Sequence, residues 1–106
     1  MFEYEEDWKL FRKRLPIWQN AYLKRLNAEY IEILSGIGSE EEKFWTLEQR
    51  ISEDRKSAGI YVRLARSQLL LNLVRLVRAQ VISIEDLEGF SADLVQMIKR
   101  LTRDDV

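Results

Sequence analysis

Residues 60–80 read IYVRLARSQLLLNLVRLVRAQ and combine four arginines with no acidic residue. At 100° per residue, six of the side chains fall within one apolar arc of a helix. Other apolar residues lie outside that arc, so a helix here would be apolar on more than one side and would need neighbours around it. The stretch therefore predicts a central helix over residues 60–80. The arc consists of Val62, Ala65, Leu69, Leu73, Leu76 and Val77.

Upstream, residues 5–35 carry apolar side chains at spacings of three or four and begin with a group of acids, which favours a helix N-terminus there. Pro16 interrupts this predicted first helix. A kink, two helices in line, and a break after Arg14 are all compatible with the pattern. The apolar stripe is Trp8, Phe11, Leu15, Trp18, Tyr22, Leu26, Tyr30 and Ile33.

Two further helices flank the central stretch. Ser39 with Glu42 forms a capping-box pattern ahead of a second helix, whose end turns polar (SEDRKS) and should project into solvent. Ser83 with Asp86 repeats that pattern, and Gly89 then favours either one bent helix or a short helix followed by residues 92–103. The predicted buried side of the second helix is Phe44, Trp45, Leu47 and Ile51.

Length and composition favour one domain over residues 1–106. The chain is 46% hydrophobic and holds only four Gly and one Pro, so it can build a core and is suited to helix throughout. We therefore predict an all-α fold: a compact bundle of about four main helices, with the helix at 60–80 packed by the others.

Catalysis is disfavoured because the chain contains neither His nor Cys, the commonest general base and the commonest thiolate nucleophile. No phosphate-binding loop or metal-binding pair occurs, so we expect no enzymatic activity, no cofactor and no metal. Glu29 lies within the first stripe, where it can be a partly buried acid paired with Arg25 or another cation. The acidic N-terminus does not resemble a secretory signal, and no uncharged run is long enough to cross a membrane, so we expect a cytoplasmic protein.

The net charge is −1, but residues 60–82 carry +4 and are bracketed by negative segments. Arg63, Arg66, Arg75 and Arg78 supply this charge, and arginine suits bidentate carboxylate or phosphate contacts. These arginines can pair internally, with Glu48, Glu53, Asp54 or the acids at 85–88, or they can bind an acidic protein or a phosphate backbone. We expect Arg75 and Arg78 to pair internally and Arg63 or Arg66 to remain free.

A second basic cluster on the first helix contains Lys9, Arg12 and Lys13 and continues through Arg14 to Lys24 and Arg25. Basic residues interleaved with aromatic ones can follow a nucleic-acid backbone while bases stack on the rings. Here the aromatic residues share the core stripe, so a solvated rim of cations is favoured over a nucleic-acid site.

The chain has three Trp, four Tyr and four Phe, many for a small helical domain to bury. We expect Phe2, Tyr4, Tyr30 and Tyr61 at the surface. Since aromatic residues and arginine dominate binding hot spots, spare aromatic side chains favour a homodimer or a surface for another protein.

Four segments, RKRLPIWQ (12–19), EYIEILSG (29–36), EKFWTLEQRI (42–51) and VISIEDLEGFS (81–91), resemble a group of uncharacterised small helical proteins of Gram-positive bacteria and their mobile elements. The resemblance covers most of the chain and implies a shared helical fold, but no established activity. A transporter label sometimes given to such proteins conflicts with the missing membrane span. The implied context is mobile-element or phage biology, where small helical proteins act by blocking or bridging larger partners.

We therefore expect a non-enzymatic protein–protein interaction module, with a homodimer as one form. The alternative is a small nucleic-acid-binding or regulatory protein that uses the arginines of the central helix together with the cluster at 9–14.

Overall fold

The computed structural model describes residues 3–103 and confirms the all-α prediction, because within that range four α-helices pack together and no strand occurs. Helix α1 spans Glu5–Ser35, α2 spans Glu40–Asp54, α3 spans Leu69–Arg78 and α4 spans Ala92–Thr102. Two short 3-10 turns, Arg66–Gln68 and Ile84–Leu87, precede α3 and α4. None of the helices in residues 3–103 is long and apolar enough to cross a bilayer.

Helix α1 runs through Pro16 without interruption, so neither a break after Arg14 nor two helices in line is correct. Proline leaves the carbonyl of Arg12 without its helical donor. Both residues are exposed, and water can therefore replace the missing N–H. The uninterrupted helix keeps the predicted apolar stripe in phase.

The hydrophobic core lies at one end of the molecule, between the first half of α1, α3 and α4. The stripe on α1 and the apolar arc of α3 both contribute to it, as predicted, and Val74 from outside the arc is also buried. None of the residues of α2 belongs to the core. The side chains with almost no exposed surface are Phe11, Leu73, Leu76, Leu87, Leu94 and Ile98.

The central helix is shorter than predicted, because residues 61–65 are not helical and α3 begins only at Leu69. After α2 the chain must run back along α1. This stretch is anchored at Ser57, which is bonded to Tyr22, and at Arg66, which is bonded to Glu5. Those anchor points are seventeen residues apart on α1, about 25 Å at the helical rise. Nine residues span about 30 Å when extended but only about 13 Å as a helix, so this stretch has to be extended.

The molecule measures 56 × 31 × 19 Å, with a radius of gyration of 16.7 Å, against about 13 Å for a spherical chain of this length. The elongation comes from the 31-residue α1, whose second half extends beyond the core and packs against α2. We call this hairpin, residues 23–54, the arm, and the rest of the described chain the body. The prediction that α2 has a buried side is wrong, since none of its residues is buried.

Polar contacts hold α4 and its preceding turn on α1. The buried Asp7 carboxylate accepts hydrogen bonds from the backbone N–H of Ser91 at 2.8 Å and from its hydroxyl at 2.7 Å. Arg14 donates to the carbonyl oxygens of Asp86 and Glu88. Gly89 has a φ of 98°, which favours glycine and ends the 3-10 turn, so of the two predicted alternatives the short helix followed by a separate α4 is correct and the single bent helix is wrong.

Candidate interaction surfaces

Four of the basic residues singled out by sequence meet in one shallow concavity of about 430 Å³, which we call the basic concavity. Three of them share a face of α1 because they are spaced by three and four residues. The extended segment after α2 brings the fourth from the start of α3. The four are Lys9, Arg12, Lys13 and Arg66, and Glu5 and Trp8 complete the lining.

Much of the charge in the basic concavity is already paired. Arg66 donates from Nε and Nη2 to the two carboxylate oxygens of Glu5, at 2.8 and 2.9 Å. This bidentate bond lowers the pKa of Glu5 and raises that of Arg66. Lys9 lies 3.6 Å from Glu6. In the described chain, only Arg12 and Lys13 of the four have no ion-pair partner.

The aromatic ring in the basic concavity, that of Trp8, is not accessible to a ligand. The guanidinium of Arg66 lies over the Trp8 ring, 5.7 Å from its centroid, and the ring is only 5% exposed. A base cannot stack on a face that an arginine covers. The concavity therefore offers an anion two free cations but no stacking platform.

The remaining predicted arginines lie apart from the basic concavity, and their pairing differs from expectation. Arg78 donates to the carbonyl oxygen of Leu101 at 2.5 Å, and Arg75 has no ion-pair partner in the described chain. We expected either Arg63 or Arg66 to remain free. In the described chain it is Arg66 that is paired with an acid. The reason lies in the fold: Asp86 caps Ser83, and the acids of α2 lie in the arm. Arg63 keeps an exposed side chain, while its carbonyl accepts from Asn72.

The arm presents an apolar face that the sequence analysis assigned to the core. Phe44 and Trp45 are 60% and 58% exposed, and their rings meet edge to face at 4.9 Å. A shallow groove of about 300 Å³ runs along the same helix, lined by residues at the spacing of one helical face. Its lining is Phe44, Leu47, Glu48, Ile51, Ser52 and Arg55.

Helix α1 extends this face. Leu23 and Leu34, both exposed, are eleven residues apart and therefore three turns along one side of α1. Because α1 and α2 are antiparallel, this side of α1 and the groove of α2 turn toward the same flank of the arm. The opposite flank carries the exposed acids Glu32, Glu42 and Glu53. We call the flank that carries Leu23, Leu34 and the groove of α2 the apolar flank.

Several polar contacts join the two helices of the arm. The Tyr30 hydroxyl donates to Asp54 Oδ2 at 2.5 Å, and Arg50 bonds Glu29 at 2.5 Å and Asp54 at 3.1 Å. Burial, and then the bond to Asp54, raises the pKa of Tyr30 to about 12. Glu29 is thus an exposed acid whose partner is Arg50 on α2, one of the cations left open by the sequence. Tyr61 is exposed as expected, Tyr4 and Tyr30 are half-buried, and Phe2 lies outside the described residues.

A third concavity, of about 560 Å³, lies between the start of α1 and the start of α4. It is acidic, but Asp7 is committed to Ser91. In the part of the chain that the structure describes, no group of three or more His, Cys, Asp or Glu is placed to hold a metal ion.

Comparisons with known protein families, with curated proteins and with solved structures each find no match. The resemblance to small helical proteins of Gram-positive bacteria stays a prediction. Function has to be inferred from the surfaces of this chain.

Proposed function

We propose that this chain is a non-enzymatic interaction protein that binds another protein through the apolar flank of the arm. The observation that supports this proposal is the exposure of Phe44, Trp45 and Ile51 on one helix of a hairpin that projects from the body. Grouped apolar side chains, rimmed by charge, are typical of protein-binding surfaces. The side-chain types also fit, because aromatic residues dominate binding hot spots.

The construction of the arm supports the same proposal. Its helices are joined by the bonds among Tyr30, Arg50 and Asp54, while Phe44 and Ile51 of the apolar flank stay exposed. A helical hairpin of this kind can lay one face into a groove or against helices of a partner. In the mobile-element or phage context implied by the resemblance, such a protein would act as an inhibitor or an adaptor of a larger partner.

Nucleic-acid binding is the second candidate, and the basic concavity is the observation that favours it. Arg12 and Lys13 are unpaired in the described chain, but Arg66 is neutralised by Glu5 and Trp8 is covered. With two free cations and no stacking ring, we expect at most weak, sequence-independent binding that falls steeply with salt. Oligonucleotide titrations at low and physiological salt test this, and submicromolar sequence-selective binding at physiological salt would make it the better proposal.

The proposal is tested by pull-down from the native cells with Phe44→Glu beside Ile31→Glu. Ile31 is 63% exposed on the same arm, nearly opposite the side of α1 that contacts α2, so the control adds the same charge elsewhere. We expect the wild type and Ile31→Glu to retain a protein that Phe44→Glu loses. Nuclease treatment should not change this capture. Equal capture by all three forms, or loss on nuclease treatment, would contradict the proposal.

A further inference from the structure

We infer that the apolar flank of the arm binds a second copy of this chain, so that two arms pack antiparallel as a four-helix assembly. This inference rests on the proposed function and names the partner. Two antiparallel helices with one shared apolar flank are half of a four-helix bundle, and an identical hairpin supplies the other half. A two-fold axis makes such a contact self-complementary and closed.

The charges on α2 favour a copy in the opposite direction. Glu40, Glu41 and Glu42 begin the helix, while Arg55 and Lys56 follow its end. Arg55 lines the groove and has no ion-pair partner in the described chain. Two acids lie on the same flank: Glu48 lines the groove at its middle, and Glu40, at the start of the helix, has a side chain 96% exposed despite its contact with Lys43.

A two-fold axis at the level of Leu47 and Glu48 brings these features together. It places Phe44 against Ile51 of the other copy and Glu40 against Arg55 of the other copy, each pair occurring twice. A parallel copy would instead set Glu40 of the two copies beside one another. The antiparallel arrangement also puts the two bodies at opposite ends of the assembly.

The size of the flank sets the expected affinity. A fifteen-residue helix is about 22 Å long, and two helices side by side are about 20 Å wide, which gives roughly 450 Å² of projected area per copy. The total of about 900 Å² is below the range of about 1,200–2,000 Å² that is typical of stable complexes. We therefore expect a reversible dimer with a dissociation constant of about 10–100 µM.

Sedimentation or light scattering from about 5 to 500 µM is expected to show a monomer–dimer transition for the wild type within that range. Phe44→Glu and Ile51→Glu each place a carboxylate inside the contact and should weaken dimerisation at least about tenfold. Ile31→Glu should dimerise as the wild type does. A wild type that is monomeric throughout, or equal weakening by Ile31→Glu, would overturn the inference.

Charge exchange gives a second, independent test. Glu40→Arg and Arg55→Glu should each weaken dimerisation by opposing like charges across the axis, whereas an equimolar mixture of the two variants should dimerise again. Circular dichroism checks that both variants are folded. Failure of the mixture to recover would overturn the antiparallel arrangement. If the wild type is monomeric but captures a protein that Phe44→Glu does not capture, only the self-association is contradicted. The proposed function would then still be supported.

Discussion

Asp7→Ala tests the most specific long-range contact of the fold. The Asp7 side chain leaves α1 to accept two hydrogen bonds from Ser91, the residue before α4, whose own hydroxyl does not cap that helix. Asp7 therefore accepts from the N-cap N–H, as the third residue of a helix does in a capping box, although it is 84 residues away. Hydrogen bonds to a charged group contribute about 1.5–3 kcal/mol each. Because Ser91 is exposed and water can replace part of the loss, the lower value applies.

The expected cost of Asp7→Ala is thus about 3 kcal/mol in the free energy of unfolding, from two bonds at the lower value. For a domain of this size that lowers Tm by roughly 12–24 °C. Urea denaturation followed by circular dichroism measures the free energy, and the denaturant slope should not change.

Asp93→Ala is the matched control for Asp7→Ala. Asp93 is an exposed acid in the first turn of the same helix, α4, and its interaction with the helix dipole contributes about 0.3–1 kcal/mol. Ser91→Ala removes only the hydroxyl bond and should cost about 1.5 kcal/mol. A cost for Asp7→Ala within about 0.5 kcal/mol of the Asp93→Ala value would refute this account of how α4 is held.

Leu73→Ala removes a fully buried side chain from α3 and should cost about 2–5 kcal/mol in chemical unfolding; thermal unfolding like that of the wild type would show that α3 is not central. Gly59→Ala should cost about 1–3 kcal/mol, because a Cβ there would lie 2.4 Å from Tyr22, and an unchanged midpoint would mean that this crossing is loosely packed. Since the pKa of Tyr30 is raised to about 12, its hydrogen bond to Asp54 stabilises the fold fully below about pH 10, its pKa when unfolded, and loses this effect between about pH 10 and 12. The unfolding free energy of the wild type should fall more over that interval than that of Tyr30→Phe, and parallel pH profiles would contradict the assignment.

The elements that sequence predicted well are those with a local physical cause. Helix α1 follows from an unbroken apolar stripe and the turn after Ser83 from its capping box, while Gly89 marked the place where α4 becomes separate without deciding between a bend and a break. These patterns are read within a few residues of chain. The extended segment at 61–65 has no such local signal, because its conformation is imposed by the distance it must cover along α1. A continuous apolar and arginine-rich pattern is compatible with helix until that distance is known.

The candidate surfaces were predicted less well, for a related reason. Arg66 and the cations of α1 were identified as residue types, but their meeting around Trp8 depends on the path of the extended segment. The apolar flank of the arm was missed because Phe44 and Ile51 have the spacing of a buried face. Periodicity shows that a helix has an apolar side, but it does not show whether anything covers it. The polar stretch after Ile51 was the available signal that α2 leaves the core.

Because the arm is separate from the body, the effect of the apolar flank on binding can be measured apart from the stability of the core. The core lies in the body, and the contacts between Tyr30, Arg50 and Asp54 hold the arm together on its inner side. Replacing Phe44 with Glu therefore removes no core contact and should leave the free energy of unfolding of the monomer within about 0.5 kcal/mol of the wild type. A loss of binding without a loss of stability would then belong to the surface itself. A large loss of stability would instead show that Phe44 supports the arm, and the apolar flank would have to be reassigned to folding.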